Sequence, residues 1–198
     1  MRVLCLITTI IIVLIALFMC RAQDVWSADW YKPDDIGTIT QLSYEMPYIK
    51  ESETYEHEAL RLGLSVGKFI DKSERFKLEG ELFIASHHSE PTLVGDYSRS
   101  AKEIGFYVIP KYYWHTKHTD IYVGIPLGFS HLMDTEDQPN FADSGLLGTF
   151  GLAIGLDTPL KKNLSLRTEY RATHTSDPLG SDAGRNLHGI LIGLRYRW

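Results

Sequence analysis

The chain ends His188-Gly189-Ile190-Leu191-Ile192-Gly193-Leu194-Arg195-Tyr196-Arg197-Trp198. From Ile190, every second residue is apolar or aromatic: Ile192, Leu194, Tyr196, Trp198. The odd-numbered positions include Gly189, Gly193, Arg195 and Arg197. A period of two puts the two sets on opposite faces of a β-strand. The same two-faced pattern occurs upstream. Leu164, Leu166, Thr168, Tyr170 and Ala172 alternate with Ser165, Arg167, Glu169, Arg171 and Thr173. Leu60, Leu62, Leu64 and Val66 alternate with Arg61, Gly63, Ser65 and Gly67. Phe76, Leu78, Leu82 and Ile84 share a face opposite Lys77, Glu79 and Glu81.

The alternation predicts eight strands, over 37–48, 57–70, 74–88, 103–115, 118–131, 145–157, 163–176 and 186–198. No long amphipathic helix competes with them. Each strand is long enough to cross a bilayer at a tilt, which takes about 9–11 residues. The links alternate in length. Asp71-Lys72-Ser73, Thr116-Lys117 and the segment around Thr158-Pro159 are short, whereas 49–56, 89–102, 132–144 and 177–185 are longer and polar. Short turns at one end and long loops at the other are the pattern of an outer-membrane barrel. A soluble sandwich would use the same alternation with the apolar face as its core. The loop pattern, the aromatic C-terminal strand and the start of the chain favour the barrel. That last strand resembles the one by which outer-membrane proteins are recognised for assembly. The expected fold is therefore all-β, an eight-stranded antiparallel transmembrane β-barrel of the bacterial outer membrane.

At the start, Arg2 precedes an apolar run from Val3 to Met19, followed by Cys20-Arg21-Ala22. A basic residue, an apolar core and small residues at the end form a secretory signal. The expected division is a signal peptide over 1–22 and one barrel domain over 23–198. A retained anchor and a lipoprotein cut before Cys20 are the alternatives. Both cysteines lie in this segment, so cleavage leaves a chain without disulfide or thiolate chemistry. The whole chain of 198 residues has a net charge of -5, which offers no basic field to nucleic acid.

A small barrel is filled by its own side chains. Arg61, Lys77, Glu79, Glu81, Lys111, Arg167, Glu169, Arg171, Arg195 and Arg197 are expected to form a packed ionic network there, with no wide pore. Tyr112, Trp114, Tyr170, Tyr196 and Trp198 are expected at the membrane boundary, and the 11 Tyr and 4 Trp of the chain read largely as boundary residues. Ser86-His87-His88-Ser89 and His115-x-x-His118 have superficial metal spacing. However, His87 and His88 alternate faces and the second pair flanks a turn, so no metal site and no cofactor are expected.

His174 and Ser176 end the apolar row of the seventh strand, two residues apart and on one face. Leu or Phe would be cheaper in lipid than these polar groups. Their spacing suits a base and a nucleophile. A third group must orient the imidazole. A tight hairpin around Gly180-Ser181-Asp182 is expected to bring His188 about opposite His174, with Asp177 and Asp182 as further candidates.

The run Arg171-Ala-Thr-His-Thr-Ser-Asp177, with Gly184-Arg-Asn186 and Gly193-Leu-Arg-Tyr-Arg-Trp198, resembles the C-terminal end of the PagL-type lipid A 3-O-deacylases. The resemblance implies an eight-stranded outer-membrane barrel with a lipid-facing His-x-Ser pair and an acid on the last strand. Its expected activity is hydrolysis of the 3-O-linked acyl chain of lipid A. It assigns Ser176 as nucleophile and His174 as general base and acid. The position of the family's acid falls on His188. Asp177 stands where the family has an Asn associated with the oxyanion hole, and Asn186 is one remnant of the family's loop; these two are the candidate oxyanion or loop-support residues. Lys50, Arg99 and Lys102, read as loop residues, are expected to meet phosphates of lipid A in the outer leaflet. The rival readings are a non-catalytic small barrel with a structural or loop-binding role and, more distantly, an acyltransferase. A homo-oligomer stays open.

Overall fold

The computed structural model describes residues 33–45, 55–91, 99–133, 146–176 and 185–198. The expected signal segment, the proposed cleavage site and the long links lie outside them. The strands are β1 (Asp35–Glu45), β2 (Tyr55–Phe69), β3 (Phe76–Pro91), β4 (Arg99–His115), β5 (Asp120–Gly124), β6 (Leu127–Met133), β7 (Leu146–Lys161), β8 (Leu164–Ser176) and β9 (Arg185–Arg197). β5 and β6 are two halves of one barrel strand. Both pair with β4 on one side and β7 on the other, in one continuous register. The ladder is interrupted at Ile125-Pro126, where proline has no N–H to donate. The seventh and eighth strands of the sequence reading are thus β8 and β9.

Every pairing is antiparallel, each strand lies between two others, and β1 pairs with β9 while β3 pairs with β4. The sheet closes into an eight-stranded barrel. Paired residues can be followed round it from Thr175 through Thr149, Gly128, Tyr107, Glu81, Ser65, Gly37 and Arg195. The path returns to Ser165, ten residues lower on β8. That stagger is what tilts barrel strands against the axis.

The outside is apolar. Leu82 is 61% exposed and Ile190 is 64% exposed, among many others around the wall. A soluble monomer does not leave so continuous an apolar surface in water. The inside is charged. Lys77 meets Asp35 at 2.7 Å and Glu79 at 3.3 Å, and Lys111 meets Glu79 at 2.8 Å and Glu169 at 3.4 Å. Arg167 bridges Glu79 at 2.7 Å and Asp157 at 3.0 Å. Arg195 joins Asp35 and Asp157. Toward the long-loop end, Arg171 grips both oxygens of Glu81 and reaches Glu169 at 2.6 Å. His87 meets Glu103 at 2.6 Å, and Arg61 stacks 3.9 Å above the Phe83 ring. Asp35, Glu103 and Asp157 complete the balance of charge; the sequence reading named the other groups but not these.

Three expectations change here. Tyr107, Tyr113 and Tyr122 are fully buried inside the barrel, not at the boundary. Two of the hydroxyls serve the charges: Tyr113 donates to Asp157 at 3.0 Å and Tyr122 to Glu169 at 2.7 Å. Arg197 is not in the interior. It is half exposed at the short-turn end and pairs with Glu74 of the β2–β3 turn, because it lies past the last layer of buried acids. Thr158-Pro159 is not a turn. It extends β7, opposite Leu166 and Ser165, and the chain reverses at Lys162-Asn163.

Candidate active site

β8 carries the site because its alternation sorts its residues completely. Arg167, Glu169, Arg171 and Thr173 are buried inside, and Tyr170, Ala172, His174 and Ser176 lie on the outer wall. β8 begins after the Lys162-Asn163 turn and ends at the long-link end, so His174 and Ser176 sit at that rim. Ser176 lies opposite Gly148 of β7, whose lack of a side chain leaves the serine uncovered on that flank. His174 lies opposite Phe150, and the two rings are 5.2 Å apart between centroids.

On its other flank, β8 meets β9. His174 pairs with Asn186, and Nδ1 of the imidazole lies 3.1 Å from Asn186 Oδ1. Asn186 is half-buried and shares the outer face. The expectation that His188 lies opposite His174 is corrected: His188 pairs with Ala172, two residues further along. Its Nδ1 meets the Tyr170 hydroxyl instead. The physical reason lies on the inner face. A register two residues different would keep every face but would set Arg167 opposite Arg195, and like charges directly opposite are destabilising. The actual register sets Arg167 opposite Gly193 and Arg171 opposite Gly189, so neither faces a like charge.

Asp177 lies outside the described residues, as do Asp182 and Lys50. Arg99 opens β4. Lys102 is not a loop residue: it is exposed on the outer face of β4. The histidines with metal-like spacing are dispersed. His87 turns inward and His88 outward, and His115 is held by Asp120 at 2.9 Å and by the Glu74 carbonyl at 2.8 Å. No group of three metal-ligating side chains occurs among the described residues. Sequence reasoning missed Phe150 and Tyr170 as neighbours of the two histidines. The charge-against-charge constraint between β8 and β9 was the signal that could have found Tyr170, through the register; Phe150 belongs to the β7–β8 pairing, which that constraint does not set.

An eight-stranded barrel, apolar outside and ionic inside, with both polar sets registered by alternation, is the build of an integral outer-membrane protein. The chain belongs to the outer membrane protein beta-barrel domain family, whose model matches residues 10–197. It is a protein of the bacterial outer membrane. No curated protein sequence matches it. Among solved structures it is similar to Neisserial surface protein A, NspA, with a TM-score of 0.56 and 13% identity, covering 83% of this chain and 96% of that one. It is also similar to OprG of Pseudomonas aeruginosa, with a TM-score of 0.52 and 13% identity, covering 84% and 96%. The outer membrane enzyme PagL gives a TM-score of 0.51 and 16% identity, covering 83% and 99%. At such identities the likeness is one of fold.

Proposed function

We propose that this barrel is a lipid A deacylase-like esterase that hydrolyses the 3-O-linked acyl chain of lipid A on its outer wall. The observation that carries the reading is the placement of His174 and Ser176. They are the last two members of the outward row of β8, at the long-loop rim, and long loops lie on the extracellular side of such barrels, which supports a position beside the ester region of the outer leaflet. A soluble esterase must enclose its acyl chain, whereas the bilayer already holds the chain beside this wall.

Ser176 Oγ attacks the ester carbonyl carbon as His174 takes the hydroxyl proton. The tetrahedral intermediate collapses, the bond from the carbonyl carbon to the sugar oxygen breaks, and His174 returns the proton to that oxygen. Water then attacks the acyl-serine, again through His174, and releases the fatty acid. An acid at position 177 would repel the developing oxyanion unless turned away from it. The exposed Lys102 ammonium is offered to lipid A phosphate as an ion pair.

The test is lipid A mass in cells making the protein. Loss of one hydroxyacyl chain is expected with the wild type and not with Ser176→Ala. A folded barrel that leaves lipid A unchanged in several hosts would instead support a non-catalytic structural or loop-binding protein. That reading is favoured by the neutral side chain beside His174, where hydrolases usually carry a carboxylate.

A further inference from the structure

We infer that Asn186 is the positioning residue of this site, holding His174 in the tautomer that makes it a base. The inference rests on the esterase reading and adds to it the third group. Asn186 stands directly opposite His174 on β9, and its Oδ1 is 3.1 Å from His174 Nδ1.

The chemistry of that contact is one-directional. An amide oxygen accepts hydrogen bonds and cannot donate them. Nδ1 must therefore carry the imidazole proton and donate it to Oδ1. Nε2 is left with its lone pair, free to take the proton of Ser176. Ser176 is two residues further on the same face, about 7 Å away between Cα atoms. Phe150 packs beside the imidazole at 5.2 Å, so the ring is held by an amide at Nδ1 and an aromatic side chain on the β7 flank. His188 cannot do this work, since its Nδ1 is engaged by the Tyr170 hydroxyl and its strand position faces Ala172.

A neutral amide fixes the tautomer but adds no charge. It orients His174 as a carboxylate would and stabilises the imidazolium formed in the transition state less well. Among the described residues, His188 is the titratable group on the outer rows of β7 and β9 beside His174. Gly148, Phe150 and Leu152 line the outer row of β7, and on β9 the row carries Asn186, His188 and Ile190.

Purified protein folded in detergent micelles with purified lipid A tests this. Asn186→Ala is expected to lower kcat about 100-fold or more with KM little changed, as losing the orienting partner of a triad does. Asn186→Asp is expected to raise kcat and to move the acidic limb of the kcat/KM profile up by about one pH unit, because a carboxylate favours the protonated imidazole. A merely structural asparagine would not move that limb. An independent reading is the ¹⁵N spectrum of His174. Wild type is expected to hold the proton on Nδ1, and Asn186→Ala to shift it toward Nε2. If Ser176→Ala abolishes hydrolysis while Asn186→Ala keeps both rate and pH limb, Asn186 is not the positioning residue. A wild-type His174 protonated on Nε2 would overturn the inference too, since the amide would then present its NH₂. If no variant turns over but the Nδ1 tautomer depends on Asn186, the positioning stands and the hydrolase reading falls.

Discussion

His174 illustrates how little of a site one residue determines. Its place on the outer wall follows from parity: it is an even position in a row running from Leu164 to Ser176, and parity cannot change without turning Arg167, Glu169 and Arg171 into lipid. Its partner does not follow from parity. Asn186 and His188 are both outward, and only the register distinguishes them. A tight hairpin is expected to place His188 opposite His174, and the register sets it opposite Ala172 instead. The consequence is measurable. His188→Ala is expected to keep lipid A hydrolysis within about threefold of wild type, because His188 meets Tyr170 and not His174. A loss as large as that of Ser176→Ala, measured as released hydroxy fatty acid, would restore His188 to the mechanism.

Strands were the most legible elements. The eight expected segments match β1 to β9 closely, with β5 and β6 forming one, because a wall facing hydrocarbon on one side and buried charge on the other leaves each residue only one side to occupy. The ends were less legible. Pro159 has the look of a turn residue, yet within β7 it pairs with Ser165 of β8, and the register shifts only beyond it, between Pro159 and Lys161. Room inside the barrel also sets the register. A Cβ on Gly193 would lie 2.0 Å from the Thr38 carbonyl oxygen of β1. Gly193→Val is therefore expected to prevent closure of the β8–β9–β1 seam, seen as loss of the compact, heat-modifiable band on a gel, whereas Leu194→Val on the outer face keeps it. The β2–β3 turn has its own chemistry. Asp71 accepts hydrogen bonds from the Ser73 hydroxyl and from the Arg75 and Phe76 amides. Partial burial pushes its carboxyl up, but these donors outweigh it and hold the group below its ordinary value of 3.8. A lowered folded value means that the turn is stabilised above that pH and loses the contribution as pH falls through it. The thermal stability difference between wild type and Asp71→Ala is expected at pH 7 and should shrink at pH 3.

Across the whole molecule, the barrel depends on balanced charge in its lumen. Arg171 is held by Glu81 and Glu169, all three almost wholly buried. Glu81→Leu removes a bidentate partner, and breaking such a buried pair costs about 3–5 kcal/mol. The double variant Glu81→Leu with Arg171→Met is expected to recover much of that loss in urea unfolding from lipid vesicles. If the double is as unstable as the single, the pair is not coupled. By itself, the sequence determined which side of each strand meets lipid, how many strands close the wall, and that charges fill the inside. Alternation decides these, since a side chain in a membrane strand has only two solvents to choose between. Only the tertiary structure decided which residues stand opposite one another. Register depends on setting Arg167 and Arg171 opposite Gly193 and Gly189 on the adjacent strand. That fit, made on the inner face, is what brings Asn186 to His174 on the outer one.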